Sequence, residues 1–301
     1  MILNASGCLD PLAAPAVARG FDALVTKTVT PLPREGNPPV RIAETDVGML
    51  NSIGLANPGI DRFLGDVLPR LLELGPPLWV SVGGFSAVDY AASCARMDAT
   101  GAAVLELNLS CPNVAAPEDE ATAIVAAARA ATEKPLYAKL SPAVPDVAAV
   151  ATAAAEAGAD GLSLVNTIRG LALDPATLRP QLATAAGGLS GPALRPIALA
   201  AVHACYRATG LPIVGMGGVE TGRHALDLIA AGASAVALGT VLFADPGAAP
   251  RVRSELAAEA SRRGLPDPAA ARGAAHDRAS AAVASGDNAP WQGSRRVSLK
   301  L

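Results

Sequence analysis

Apolar and polar positions along the chain follow two rhythms. Short runs rich in Val, Leu and Ile recur at 2–6, 23–28, 78–83, 104–110, 136–140, 161–166, 212–217 and 235–240. Between them lie longer Ala/Leu-rich stretches with helical spacing, near 61–74, 86–99, 117–132, 146–157, 193–208 and 221–231. A further such stretch covers 247–263, and a short first helix is expected at 11–19. Strands that alternate with helices predict an α/β fold on a parallel sheet. Eight such units within about 260 residues predict a closed (β/α)8 TIM barrel. An open doubly wound sheet would need a glycine fingerprint after its first strand, and ASGCLD is not one.

The stretch 105–114, LELNLSCPNV, shows the barrel pattern clearly. Leu105, Leu107 and Leu109 alternate with Glu106, Asn108 and Ser110. The leucines are expected to face the helices and the polar residues to turn inward. Pro112 stops the strand, so Cys111 opens a loop. Polar residues and glycines also gather at the other strand ends: Asn4 and Ser6, Lys27, Lys139, Asn166 and Thr167, Gly217 and Gly218, Gly239 and Thr240. In a barrel these ends meet on one face, which is the catalytic one.

Two connections are long. Residues 29–60, after the second strand, are rich in Gly, Pro and Asn and read as loop or short hairpin. Residues 167–192 form the second insert and carry GGLSG at 187–191. Long loops inside a compact domain usually serve function. The sequence predicts a single barrel domain over 1–301, with a tail from about 265 that is partly disordered.

Charge and composition remove several function classes. Net charge is −3 and no basic stripe occurs, which argues against a nucleic-acid partner. Only 3% of residues are aromatic, so small side chains must supply much of the packing. Cys8, Cys94, Cys111 and Cys205 share no metal-type spacing, so no metal site is expected. They read as reduced thiols of a cytoplasmic protein. Residues 228–244 carry no charge, but Gly232 and Gly239 interrupt them. A helix end, a turn and a buried strand fit better than a membrane span. ASGC at 5–8 lacks the charged start and apolar run of a signal peptide.

The strand ends then suggest chemistry. GMGGVETG (215–222) and ALGTVLF (237–243) place glycines where backbone N–H groups can approach a phosphate. Taken singly, each motif reads equally well as a tight turn. Lys27 and Lys139 close apolar strands, so they are drawn into the barrel mouth rather than left as solvated surface lysines. Fixed cations there can stabilise a developing anion. Asn51, Asn108, Asn113 and Asn166 offer donors and acceptors suited to a flat amide- or imide-containing ring. Asn57, before Pro58, reads as a turn residue. Cys94 and Cys205 fall in helical runs and read as inert buried thiols. Cys111 stands at the catalytic face, where a lowered pKa would make it a general base. His203, His224 and His276 lie away from the strand ends, so hydrolase chemistry is weakly supported.

LELNLSCPNV, REGNPPVRIAET with GMLNSIGLANPG, AKLSP, LVNTIRG, GGLSGPALRPIAL, GMGGVETG and ALGTVLFADP together resemble the soluble, class 1 dihydroorotate dehydrogenases. The resemblance runs colinearly over roughly 2–260. GMLNSIGLANPG, GGLSGPA and FADP look closer to the 1B branch, which passes electrons through a separate FAD and iron–sulfur subunit to NAD. The membrane class carries serine where Cys111 stands.

The resemblance implies FMN in the barrel mouth, with its phosphate at Gly217, Gly218, Gly239 and Thr240. Ala5, Ser6, Lys27, Thr28, Asn108, Lys139 and Gly191 would be further flavin contacts. Lys139 would lie near the flavin N1/O2 edge. Dihydroorotate would be held by Lys27, Asn51, Ile53, Gly54, Leu55, Asn108, Asn113, Asn166 and Thr167. Cys111 would take the C5 proton while hydride passes from C6 to flavin N5. A homodimeric core is expected, in the cytoplasm and without a membrane anchor. Two other readings stand beside this one: a related flavin enzyme for another dihydropyrimidine, and a flavin-binding subunit inactive without its partner. The loop behind SCPNV is shorter than is usual in the family, and the chain begins almost at the first strand.

Overall fold

The computed structural model describes residues 1–109 and 117–276. Eight strands form a parallel ring: β1 (Ile2–Asn4), β2 (Leu24–Val25), β5 (Leu78–Val82), β6 (Val104–Leu109), β7 (Leu136–Leu140), β8 (Gly161–Leu164), β11 (Ile213–Met216) and β12 (Ala235–Leu238). Each strand neighbours the next ring strand along the chain. Four further strands, β3 (Ile42–Thr45), β4 (Gly48–Asn51), β9 (Ile168–Leu171) and β10 (Ala186–Ser190), build an antiparallel sheet in the order β3-β4-β10-β9. The inserts after β2 and β8 therefore pair with each other and make one cap over the ring's mouth.

Helices cover the ring's outside. They are α1 (Pro15–Ala18), α2 (Ile60–Arg62), α3 (Leu68–Leu72), α4 (Ala87–Asp98), α5 (Pro117–Arg129), α6 (Val147–Glu156), α7 (Arg195–Thr209), α8 (Gly222–Ala230), α9 (Val241–Ala244) and α10 (Ala248–Arg262). The helix expected over 61–74 contains a π-helical turn at Phe63–Val67. Pro69, two residues on, has no N–H to give to the ladder where regular α-helix resumes at Leu68–Leu72. Three of the long helices begin at side-chain caps: Ser86 Oγ accepts from Asp89 N, Asp146 from Ala148 N and Ala149 N, and Thr221 from His224 N.

Strand periodicity sorts the side chains into two cores. Leu24, Val80, Leu105, Leu107, Leu136 and Leu162 point outward and pack in the large cluster with the helices. Leu3, Ala23, Val25, Trp79, Val104, Val214, Met216 and Ala237 form the smaller cluster inside the ring. Trp79 and Tyr137 pack with ring centroids 4.6 Å apart at 56°, supplying bulk at the ring's lower end. Below them the last described residues dock. Arg272 Nε donates to Gly232 O, and the His276 ring lies against His203 at 3.9 Å. Residues 277–301 of the expected tail lie outside the described residues. No helix among the described residues is long and apolar enough to cross a membrane.

The seam between β1 and β2 has a single bridge, Leu3 to Ala23. A side chain completes it. Asn4 Nδ2 donates to Val25 O at 2.8 Å, and Val25 N donates to Asn4 Oδ1 at 2.9 Å. One carboxamide thus reproduces a ladder pair. Asn4, expected with the polar residues of the catalytic face, is instead fully buried in this seam. Asn4→Ala leaves two buried backbone groups without partners, and should lower stability by roughly 2–4 kcal/mol. Urea unfolding measures this, and a change under about 0.5 kcal/mol, the range of ordinary surface substitutions, would show that the seam closes without the amide.

Candidate active site

All the catalytic-face ring ends open into one cavity of about 590 Å3, roofed by the cap sheet. That volume suits a small-molecule or cofactor site. Ala5, Ser6, Lys27, Thr28, Asn51, Ile53, Gly54, Leu55, Asn108, Lys139, Asn166, Thr167, Gly191, Gly217, Gly218, Gly239 and Thr240 all line it. Most of these follow their strands by one to three residues, because the strands are shorter than the apolar runs. β8, for example, stops at Leu164, so Asn166 and Thr167 stand on the loop above it. Cys111 and Asn113, the remaining expected site residues, lie outside the described residues. The last residue of β6, Leu109, and the first of α5, Pro117, both border a second cavity of about 530 Å3. That cavity shares Asn51, Ser52, Asn166, Thr167 and Gly188 with the first.

One end of the main cavity is made of backbone. Gly218 has φ +66°, and a Cβ there would sit 2.8 Å from Gly191 O and from Arg195 Cβ. Glycine is needed both for that conformation and for the close approach. Gly217 and Gly239 complete a cradle that keeps side chains away. Thr240 Oγ1 meets Ser190 Oγ at 2.8 Å, tying the ring to the cap. Such a surface accepts an anion through backbone N–H groups.

The middle of the cavity is a chain of neutral polar groups across four strands. Ser81 Oγ and Thr28 Oγ1 are 3.0 Å apart, Asn108 Nδ2 donates to Thr28 Oγ1 at 3.3 Å, and Asn166 Nδ2 donates to Asn108 Oδ1 at 3.2 Å. Tyr90 Oη donates to Asn108 O at 2.7 Å. Asn166 Oδ1 accepts from Thr167 N, and Asn51 Nδ2 donates to Gly188 O. These bonds orient the carboxamides before any ligand arrives. Asn57 acts as a loop organiser. Its Oδ1 accepts from Thr30 N and Gly59 N, and its Nδ2 donates to Thr30 Oγ1 and Leu55 O.

Two lysines charge the cavity. Lys139 is buried, and its Nζ lies 3.9 Å from Glu106 Oε1. Lys27 has its pKa held below the ordinary lysine value, first by burial and then by the neighbouring Lys139 charge, with Cys8 opposing. Cys8 also lines the cavity, and burial pushes its thiol up against the pull of Lys139 and Lys27. Cys8 was not anticipated as a site residue, although it follows Ser6 by two positions at a ring-strand end. Ser190, Met49, Phe85 and Phe243 also escaped the sequence reading, since no strand-end rule covers cap or rim residues. Cys94 on α4 and Cys205 on α7 are buried on the helices' inner faces, and burial pushes each thiol to about 12.

The chain matches the family model described as dihydroorotate dehydrogenase over residues 1–259. It is 47% identical over 265 residues to "Dihydroorotate dehydrogenase B (NAD(+)), catalytic subunit" of Desulforudis audaxviator, covering 85% of this chain and 86% of that one. It is 43% identical over 282 residues to the like-named protein of Latilactobacillus sakei, covering 88% and 91%. A crystal structure of DHODH from Eimeria tenella in complex with ferulenol superposes with a TM-score of 0.77 at 28% identity, covering 91% of this chain and 85% of that one.

The lowered Lys27 pKa gives a stability signature. The unfolded chain binds this proton more tightly than the folded one, so stability rises as pH climbs from the lowered value toward 10.5. Lys27→Met should flatten that rise in urea midpoints measured from about pH 7 to about 10. An identical slope in the variant would mean that Lys27 keeps its usual proton affinity.

Proposed function

The chain belongs to the dihydroorotate dehydrogenase family, and from that premise we propose that it is an NAD-linked, class 1B catalytic subunit, a single barrel domain that binds FMN. It oxidises (S)-dihydroorotate to orotate in pyrimidine biosynthesis. The observation that carries this reading is the cavity itself. A backbone anion cradle, oriented carboxamides and two lysines converge in one pocket, on a chain this similar to known catalytic subunits.

The residues present fit a flavin mononucleotide. Gly217, Gly218, Gly239 and Thr240 suit its phosphate, because they bring backbone to the cavity wall, and Gly218 at φ +66° has no room for a Cβ beside Gly191 O and Arg195 Cβ. Ala5, Ser6, Thr28, Lys27, Asn108, Lys139 and Gly191 line the space left for its ring system. When bound, the flavin supplies the hydride acceptor for dihydroorotate oxidation.

The chain's own residues do the rest. Asn51, Asn108 and Asn166, with Asn113, hydrogen-bond the amide edges of the dihydropyrimidine ring. Ile53, Gly54, Leu55 and Thr167 shape its binding wall. Lys27 pairs with the substrate carboxylate, which separates dihydroorotate from dihydrouracil. That pairing also restores the ammonium form that burial disfavours. Lys139 provides fixed positive charge that favours a negative charge developing in the cavity. Cys111 accepts the substrate's C5 proton, from a segment that leaves β6 just past Asn108.

Phe85 and Phe243 are 64% and 55% exposed at the cavity rim, a surface suited to an FAD/iron–sulfur partner subunit. Val40, Leu171 and Leu178 are exposed on the cap side, where a second copy would form a homodimeric core. The free thiols accord with a cytoplasmic setting.

Purified protein should be yellow with bound FMN and should bleach under anaerobic dihydroorotate, then reoxidise through NAD only with the partner subunit. A colourless protein that binds no added FMN would sink the reading. Cys111→Ala should keep FMN but slow bleaching by about 10²-fold or more near neutral pH. Unchanged stopped-flow kinetics would remove Cys111 as the base. Preference for dihydrouracil in a substrate panel would favour the other dihydropyrimidine reading.

A further inference from the structure

Among the described residues, Glu106 and Lys139 are the only charged side chains that are buried. Strand alternation aims both into the ring. Glu106 stands on β6 opposite Tyr137, and Lys139 stands on β7 opposite Asn108. Lys139 reaches the cavity, whereas Glu106 does not line it and lies one layer below, 1% exposed. Its Oε1 has no hydrogen-bond partner among the described residues, and the Lys139 ammonium is 3.9 Å away.

This is a poor arrangement for stability alone. A carboxylate removed from water and given one long ionic contact gains less than a well-packed apolar side chain would. Around it stand the apolar Val25, Val104, Val214 and Met216, with two buried neutral hydroxyls, Ser81 opposite Glu106 and Ser163 opposite Lys139. The arrangement makes sense through Lys139. A buried ammonium without a counter-charge tends to lose its proton. The other groups that face this lysine are Lys27, which repels it, the Cys8 thiol, and Tyr137 on its own strand. Glu106 is therefore its only close acidic partner among the described residues.

We propose that Glu106 is a positioning residue: a carboxylate beneath the cavity floor that keeps Lys139 protonated and aimed upward, and so maintains the positive charge against which the flavin sits. The inference rests on the FMN reading above. It concerns a side chain that touches neither cofactor nor substrate.

The test uses FMN-loaded protein and the affinity of its flavin for sulfite, an anionic adduct former that reports nearby positive charge without turnover. Glu106→Gln should bind FMN normally and match the parent protein at low pH. As pH rises its sulfite affinity should fall away from the parent's, by about tenfold or more, since each pK unit of lost proton affinity is tenfold. Glu106→Asp should restore the parent profile. In a Lys139→Met background, Glu106→Gln should change nothing further. A Glu106→Gln curve parallel to the parent at every pH would overturn the proposal and leave only a structural role. So would an equal effect in the Lys139→Met background. If Glu106→Gln does not fold, the paired replacement Glu106→Met/Lys139→Met removes both charges and should match Lys139→Met alone, and a further loss of sulfite affinity overturns the proposal. Parent protein that binds no FMN defeats the cofactor reading itself, an outcome separate from an unaffected Glu106→Gln holoprotein.

Discussion

The ring closes at a seam that side chains hold more than backbone does. Seven of the strand junctions carry parallel ladders, and the eighth has one backbone bridge, Leu3 to Ala23, with the Asn4 carboxamide standing in for backbone at Val25. The turn below is tied in the same way. Ile2 N donates to Asp22 Oδ2, and Arg253 from the last long helix pairs with Asp22 Oδ1. The site depends on this closure, because Ser6 and Cys8 follow β1 while Lys27 and Thr28 follow β2. If the seam splayed, those two ring ends would separate. The Ser6–Thr26 hydrogen bond across the seam would be lost with them.

The ring interior reconciles two demands. Its lower part is packed by Trp79, Tyr137 and short aliphatic residues. Its upper part must stay open enough for a ligand, and it is lined by glycines, hydroxyls and carboxamides. Low aromatic content suits the layer outside the ring, where close helix-to-ring contacts are made by alanines such as Ala138, Ala151 and Ala198. The buried Glu106–Lys139 pair lies at the boundary, where the medium is apolar enough to strengthen electrostatics and close enough to the cavity for that field to be felt.

The ring and its catalytic face were legible because both rest on local signals. Period-two alternation and terminal polar residues fix which side of each strand points where, and Glu106, Asn108 and Lys139 follow that rule. Cap pairing was not legible, since 29–60 and 167–192 are far apart in sequence and their strands are short and glycine-rich. No periodicity announces that Gly188 will lie opposite Asn51. Asn4 shows the complementary failure. An asparagine at a strand end reads the same whether it faces a ligand or repairs a seam, and only the neighbouring strand decides.

The roof over the cavity has its own consequence. Gly48 lies so close to Ser190 that a Cβ would come within 2.0 Å of its carbonyl oxygen, and Leu50 is buried against Ala43 and Leu182. The two inserts are thus halves of one object encoded some 140 residues apart, as the Ser190–Met49 bond records with a separation of 141. Neither half can drift alone. Any lineage that reshapes the ligand-facing wall through one insert must adjust the other in step, while the ring beneath is free to stay as it is.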